Sequence, residues 1–408
     1  MIRHQVYFDT LGTMKEDSAS WRSVFAGLSV LRLVDAYVDA GSGAPTVNWA
    51  QVHSVRAALE NVAEGDPLRG VLTNLVEELI SRNKVDDAVC VALLAYGRTL
   101  DYEANWALAT DVFATVAKVV RPERNARLAV EANVAAGGAA RRNGDWEVSA
   151  RAYSQAAYVA DTLGDRQGVL TVQVGIANTY LSRGNIPQAQ SILDDVIVQA
   201  REQHFTDVEA IALHSRSSVA HRQGDITDAV KLAHEALRAS TKASDRDFIL
   251  EDLAAAFSEL GLREAARDTH LLLTATSEKK WVRWQATINL MELASEDGMR
   301  DAFDSYVAQL RNEPMGPWLR AHYLIFFGEG LDRFGQAEAA QEILAQAVTF
   351  AEANQIHSAT FRAEAALKAV RSANRAASTP PTFPELPGDV LAAAHSVAEL
   401  RKAALVPG

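Results

Sequence analysis

Glycine recurs at a fixed interval through most of this chain and separates alanine-rich segments in which apolar residues have helical spacing. The first three of these turn glycines are 40 residues apart and the later ones are 37 apart: Gly144, Gly184, Gly224, Gly261, Gly298 and Gly335. Asp or Asn follows each of the first three. A period of this size, built from a turn and two amphipathic segments, predicts an array of helical repeats.

Small residues at two fixed distances from the turn glycine support paired helices. The residues seven before it are Gly137, Ala177, Ser217, Ala254, Met291 and Gly328. The residues five after it are Ser149, Ala189, Ala229, Ala266, Phe303 and Ala340. A large side chain at either position would hold two packed helices apart. The unit around Gly298, with Met291 and Phe303, is the exception.

This combination of a turn glycine, a following Asp or Asn and small residues at the two close-approach positions resembles the tetratricopeptide repeat family, from about Leu68 to Asn374. The resemblance implies an all-α fold, a right-handed superhelical solenoid of antiparallel helix pairs. The units are longer than the ~34 residues of that family, and most lack its helix-closing proline. The long-helix arrays of bacterial regulators are therefore the closer comparison. The resemblance also implies a concave groove, lined by the first helix of each pair, that binds peptides or other proteins.

Three segments are predicted along the chain. Residues 1–65 form an N-terminal helical bundle or degenerate repeats, and residues 66–375 form the repeat array with a capping helix at its C-terminal end. Residues 376–408 contain a proline-rich linker, with Pro380, Pro381, Pro384 and Pro387, and then a short terminal helix. Proline favours an extended linker because it cannot continue a helix.

Composition limits the classes of partner and compartment. The hydrophobic fraction is 48% and the charged fraction 23%, as in ordinary folded proteins. The formal net charge of −12 disfavours nucleic acid and anionic membranes as partners. A single cysteine, Cys90, excludes an internal disulfide framework and fits a reducing compartment. With no apolar run of signal-peptide or membrane-spanning length, we expect a cytoplasmic protein.

Candidate groove residues follow from the resemblance, which places them ten, six and three residues before the turn glycine, with some neighbours. The predicted partner-binding residues are Arg141, Arg142, Asn178, His214, Ser218, His221, Arg222, Glu251 and Trp284. The middle repeats present Arg, Asn and His, which suit an anionic partner group, whereas the later repeats present Glu, including Glu292 and Glu329. The same residues also fit a solvated helix face with no partner.

The three tryptophans of the later repeats are interpreted by their recurrence. Trp281 and Trp318 hold the same position, seventeen residues before a turn glycine, which favours packing between repeats. Trp284 has no such counterpart and is the predicted interface residue.

Known catalytic and cofactor motifs are absent from the sequence. His214 and His221 are seven residues apart, ~10 Å along a helix, which is too far for an easily shared metal ion. We therefore expect no cofactor and no metal. The leading hypothesis is a non-enzymatic adaptor that binds a peptide or protein segment in its groove. The alternatives are a peptide- or ligand-gated bacterial regulator acting through protein contacts and, more weakly, an unrecognised enzyme.

Overall fold

The computed structural model describes residues 2–40, 49–313, 315–354, 356–372 and 386–404. These residues form α-helices joined by short turns, without a β-strand among them. The chain divides into two compact units, Met1–Gly184 and Asn185–Gly408, which we call unit 1 and unit 2. The predicted segment boundaries near residues 65 and 375 stay predictions.

Unit 1 contains nine helices in its described residues. They are α1 (Gln5–Thr13), α2 (Ala19–Asp39), α3 (Trp49–Glu60), α4 (Pro67–Arg82), α5 (Asp87–Tyr102), α6 (Trp106–Val119), α7 (Ala126–Arg142), α8 (Trp146–Thr162) and α9 (Arg166–Ser182). Between α4 and α9, each helix packs against the next one along the chain.

Unit 2 contains eleven helices in its described residues. They are α10 (Ile186–Glu202), α11 (Thr206–Gln223), α12 (Ile226–Ala239), α13 (Ala243–Glu259), α14 (Arg263–Thr276), α15 (Lys280–Glu296), α16 (Arg300–Leu310), α17 (Pro317–Arg333), α18 (Ala337–Ala353), α19 (His357–Arg371) and α20 (Gly388–Ala404). The turn glycines separate α11 from α12, α13 from α14, α15 from α16 and α17 from α18. The predicted all-α fold of tetratricopeptide-like helix pairs is confirmed.

The turn glycines adopt the left-handed conformation that the sequence pattern requires. At Gly144 φ is +79°, and the amides of Gly144 and Asp145 donate to the carbonyls of Arg141 and Ala140. These bonds satisfy two carbonyls at the end of α7, as in a Schellman motif. Asp145 then caps α8, its carboxylate accepting from the Val148 amide at 3.1 Å. Glycine and the following Asp therefore end one helix and start the next.

The close-approach positions are filled as predicted, including the exceptional unit. The Ser149 hydroxyl donates to the Gly137 carbonyl at 2.9 Å, so α7 and α8 are in direct contact. Phe303 on α16 is fully buried, and space for its ring exists because α17 carries Gly330, where a Cβ would lie 2.3 Å from the ring. The large residue at this position is therefore matched by a glycine on the next helix.

The N-terminal segment of unit 1 is held by a buried polar contact. His4 lies between two carboxylates, with its Nδ1 2.5 Å from Asp111 on α6 and its Nε2 3.2 Å from Asp35 on α2. Tyr7 on α1 is fully buried and shares a hydrogen bond with Tyr96 on α5. The segment that precedes α2 is therefore an integral part of the core of unit 1.

At the C-terminal end, α19 closes the sequence of helix pairs. Pro380, Pro381 and Pro384 of the predicted linker lie outside the described residues, whereas Pro387 directly precedes α20. Instead of following α19 in the stack, α20 packs on α12 and α14. Within the described part of the chain, none of the helices is both long enough and apolar enough to cross a bilayer.

Candidate functional site

The predicted contact residues fall in both units. Arg141, Arg142 and Asn178 belong to α7 and α9 of unit 1. The others belong to the first helices of the pairs in unit 2, namely α11, α13 and α15. Together with α17, these helices form a surface that we call the first-helix face of unit 2.

In unit 1 the two arginines are engaged by the protein itself. The Arg142 guanidinium binds Asp101 on α5, with an Nε to Oδ1 distance of 3.0 Å. Arg141 donates to the Ser182 hydroxyl on α9 at 2.8 Å, and burial lowers the pKa of its guanidinium. Asn178 is half-buried on α9, and its carbonyl accepts from Ser182 at 2.9 Å. Partner contacts of these residues stay predictions.

In unit 2 both predicted histidines face carboxylates of the neighbouring first helix. His214 Nε2 is 2.7 Å from Asp252, and His221 Nε2 is 2.8 Å from Glu259. The sequence contained a signal for these pairs, because Asp252 and Glu259 are seven residues apart, as the histidines are. Because the two histidines of α11 and the two carboxylates of α13 have the same spacing, both pairs form in a single register of the two helices.

The remaining two predicted residues of α11 lie beside these histidines. The Ser218 hydroxyl donates to the His214 carbonyl at 3.3 Å, a bond within the helix. Arg222 is exposed in the last turn. The Ser218 hydroxyl is thus engaged within α11, whereas the exposed guanidinium of Arg222 keeps its positive charge. The positive character expected of α11 is therefore reduced at the two histidines, which face carboxylates.

Glu251 is a predicted site residue with a buried polar atom that lacks a hydrogen-bond partner in the described part of the chain, as Arg141 is at its Nε atom in unit 1. It lies on α13, and its buried Oε1 atom has no hydrogen-bond partner among the described residues. Burial, reinforced by the carboxylates of Asp252 and Asp247, raises the pKa of Glu251 to about 8. Its carboxyl group therefore carries a proton for much of the time near neutral pH.

A second acceptor without a partner lies on the neighbouring first helix. The Oε1 atom of Gln285 on α15 is buried and makes no hydrogen bond within the described chain. The rings of Phe248 and Trp281 are 5.9 Å apart and join α13 to α15. Glu251 and Gln285 lie one helical turn beyond this ring pair on their respective helices.

Further along the first-helix face, the capping helix supplies an arginine. Arg362 on α19 lies 3.6 Å from Glu292 on α15 and 3.5 Å from Glu329 on α17. Its guanidinium carbon is 4.3 Å from the centre of the Phe326 ring. Two carboxyl groups and an aromatic ring thus hold one guanidinium, an arrangement that suits arginine geometrically and electrostatically.

The burial of Trp284 corrects its interpretation as an interface residue. Trp284, the predicted interface residue, is only 8% exposed and lies in the hydrophobic core of unit 2. A buried side chain offers no area to a partner, so Trp284 is removed from the contact residues. Trp318, expected to pack between repeats, is 38% exposed and stacks on His322 with 4.0 Å between ring centres.

The described residues offer neither a metal-binding cluster nor a reactive thiol. There, no cluster of three or more His, Cys, Asp or Glu side chains is placed to hold a metal ion. Cys90 is buried on α5, and burial beside Asp87 and Asp86 raises the pKa of its thiol to about 12. A thiol in this state is a poor nucleophile at neutral pH.

No protein-family model and no curated protein sequence matches the chain. Among solved structures, it is similar to NprR in complex with its cognate peptide NprX, with 13% identity and a TM-score of 0.45, covering 75% of this chain and 96% of that one. Rap protein complexed with competence and sporulation factor gives 13% identity and a TM-score of 0.34, covering 86% and 98%.

A STAND signal-transduction ATPase with a tetratricopeptide repeat sensor, from Pyrococcus horikoshii, gives 11% identity and a TM-score of 0.39. That match covers 96% of this chain and 55% of the ATPase, so the chain spans about half the length of that protein. The described residues of the chain itself form an all-helical array in which adjacent helices pack in pairs.

Proposed function

We propose that the protein is a non-enzymatic interaction scaffold whose first-helix face in unit 2 binds a peptide or protein segment with cationic side chains. The observation that carries this proposal is the pair of buried acceptor atoms, Glu251 Oε1 and Gln285 Oε1, without hydrogen-bond partners in the described residues. Buried polar atoms are normally satisfied. A ligand that donates hydrogen bonds would satisfy both.

The charges of the face favour a cationic ligand over the anionic ligand expected from the sequence. His214 and His221 already face Asp252 and Glu259, so an anionic group would compete with carboxylates of the same chain. A cationic group would instead meet Glu251 without displacing a partner from its Oε1 atom. The formal net charge of −12 acts in the same direction by attracting cations over longer distances.

Arg362 supports the proposal as an internal example. This face holds its guanidinium between Glu292 and Glu329 and against Phe326. One repeat earlier, Glu251 and Asp252 accompany the ring pair of Phe248 and Trp281, with Lys279 Nζ 5.6 Å from the Phe248 ring centre. An arginine or lysine of a partner would find the same kinds of groups there.

Selection of random peptides on the full-length protein tests the proposal. We expect the selected peptides to be enriched in arginine and lysine. At about pH 9, where the Glu251 carboxyl group with its pKa of about 8 is ionised, we expect Glu251→Gln to weaken their binding about tenfold, as for a lost charge-assisted hydrogen bond. Glu342→Gln, an exposed change on second helix α18, is the matched control. Acidic or uncharged selected peptides would contradict the proposal, as would equal binding by the Glu251→Gln variant.

The alternative of a peptide-gated regulator stays a prediction. Small-angle scattering of the full-length protein with and without a selected peptide tests it, because a gated array changes its dimensions on binding and a passive scaffold does not.

A further inference from the structure

The terminal helix α20 departs from the repeat order. It follows α19 along the chain, yet it packs on α12 and α14. Its Arg401 binds Asp268 on α14, 133 residues earlier in the sequence. The second helices of two pairs therefore share a surface that accepts one additional helix.

The contact made by α20 is small and has a simple pattern. Val390, Ala393 and Val397 are its buried residues, spaced by three and four and so aligned on one side of the helix. Leu391, on another side, is 50% exposed. Two valines and one alanine bury little apolar surface compared with a helix of the core.

Charged contacts fix both ends of α20. Near its start, Asp389 accepts from Lys231 Nζ on α12 at 2.8 Å. Near its end, Arg401 binds Asp268 on α14. The two α20 residues are twelve apart, or ~18 Å along a helix axis. Ion pairs that are wholly or partly open to solvent contribute little net stability, but they select the orientation of the helix.

We propose that the α12 and α14 surface is a binding site for an amphipathic helix and that α20 is its displaceable intramolecular occupant. A partner helix that fits carries an acidic residue at its start, small apolar residues in the spacing of Val390, Ala393 and Val397, and a basic residue twelve positions after the acid. This site is separate from the first-helix face and does not depend on the function proposed for it.

A labelled peptide of residues 386–404 tests the proposal on the full-length chain. In the Val390→Asp/Val397→Asp protein, the attached α20 loses its apolar contacts, and we expect the added peptide to bind. In the wild-type protein, the tethered helix competes at an effective concentration of about millimolar. For a peptide with a Kd of about 10 μM, we therefore expect an apparent affinity roughly 100-fold weaker than for the substituted protein. A peptide carrying the same two Asp substitutions is not expected to bind either protein.

Charge reversal tests the orientation of the helix. Lys231→Glu, introduced into the Val390→Asp/Val397→Asp protein, is expected to weaken binding of the peptide, and Asp389→Lys in the peptide is expected to restore it. Equal binding to the wild-type and Val390→Asp/Val397→Asp proteins would overturn the proposal, because the peptide would then occupy another surface. Failure to bind a Val390→Asp/Val397→Asp protein with an unchanged circular dichroism spectrum would also overturn it.

Hydrogen exchange of the wild-type protein provides a test without substitutions. Amides of α20 are expected to exchange faster than those of α14, because undocking of α20 leaves α14 in place. Equal protection of the two helices would contradict a displaceable α20. A wild-type dimer formed by exchange of α20 between copies would contradict its intramolecular assignment.

Discussion

Tyr7 and Tyr96 place their hydroxyl oxygens 2.9 Å apart in the interior of unit 1, although 89 residues separate them in the sequence. Both side chains are fully buried, and burial raises the pKa of each phenol. The pair joins the N-terminal helix α1 to α5. A Cβ added at Gly27 on α2 would lie 2.0 Å from the Tyr96 hydroxyl, so α2 also approaches this pair closely.

The stability costs of removing the two hydroxyls are not expected to be additive, because removing one leaves the other buried without its partner. Tyr96→Phe leaves the buried Tyr7 hydroxyl without this partner and should destabilise the protein by about 1–3 kcal/mol. The Tyr7→Phe/Tyr96→Phe variant should be more stable than the sum of the two single changes indicates. Urea denaturation of the four proteins measures this coupling, and strictly additive costs would show that the hydrogen bond contributes nothing.

The His4 contact is expected to make stability depend on pH. Burial lowers the pKa of His4, but Asp111 and Asp35 outweigh that effect and raise it above the ordinary value of 6.5. The stabilisation is present in full below about pH 6.5 and is lost as the pH rises through the folded-state pKa. His4→Asn, which tolerates the left-handed backbone there, should therefore cost more stability at about pH 6 than at about pH 9.

Urea denaturation at the two pH values checks this expectation. His53→Asn, at an exposed position on α3, is the matched control and should show no such difference. A cost of His4→Asn that is the same at both pH values would show that packing, not ionisation, stabilises this contact.

Ala104 is expected to be a site where glycine stabilises the protein. Its φ is +57°, and the Asn105 amide donates to the Leu100 carbonyl at 2.9 Å in the same arrangement as at Gly144. Ala104→Gly should relieve the left-handed strain and stabilise by about 1 kcal/mol, and Gly144→Ala should destabilise by a similar amount. Thermal denaturation measures both, and a lower midpoint for Ala104→Gly would contradict the expected relief of strain.

The buried carboxyl group of Glu251 is expected to weaken the fold as the pH rises. Its pKa of about 8 in the folded protein lies above the ordinary value of 4.5. Below about pH 4.5 the carboxyl group is protonated in both the folded and the unfolded protein, and its burial does not lower the free energy of unfolding. As the pH rises toward 8, ionisation in the unfolded protein lowers the free energy of unfolding progressively. Glu251→Gln should stabilise by a few kcal/mol near pH 8, on the order given by a shift of this size.

Denaturation of the Glu251→Gln protein across this pH range checks the expectation, with Glu342→Gln as the matched control. A Glu251→Gln protein that gains no stability between about pH 5 and about pH 8 would place the carboxyl group in a solvated environment.

The helix pairs could be predicted because glycine marks many of their turns, but other turns carry no such mark. Ala104 and His204 adopt the left-handed conformation with φ of +57° and +58°. Histidine is among the residue types enriched in that region, whereas alanine is not, so the sequence gives no sign of the turn at Ala104. At Ala104 the packing of the flanking helices imposes the turn, so tertiary structure overrides local preference.

The site was less predictable because its electrostatics depend on the register between helices. The sequence placed His214 and His221 on one stripe but could not show that Asp252 and Glu259 lie opposite. Similarly, position within the repeat did not distinguish the buried Trp284 from the partly exposed Trp318. Burial of an aromatic residue is decided by the neighbouring helix, which the repeat pattern alone does not fix.

Lys231 and Asp268 hold equivalent places in two consecutive repeats, seven residues after the turn glycines Gly224 and Gly261. The corresponding residues of the flanking repeats, Ser191 and Ser305, are uncharged. A helix with the charges of α20 is therefore matched at one position among these repeats. A shift by a single repeat in either direction would leave one of its ends opposite a serine. Divergence at one repeat position thus gives an otherwise periodic surface a unique docking register.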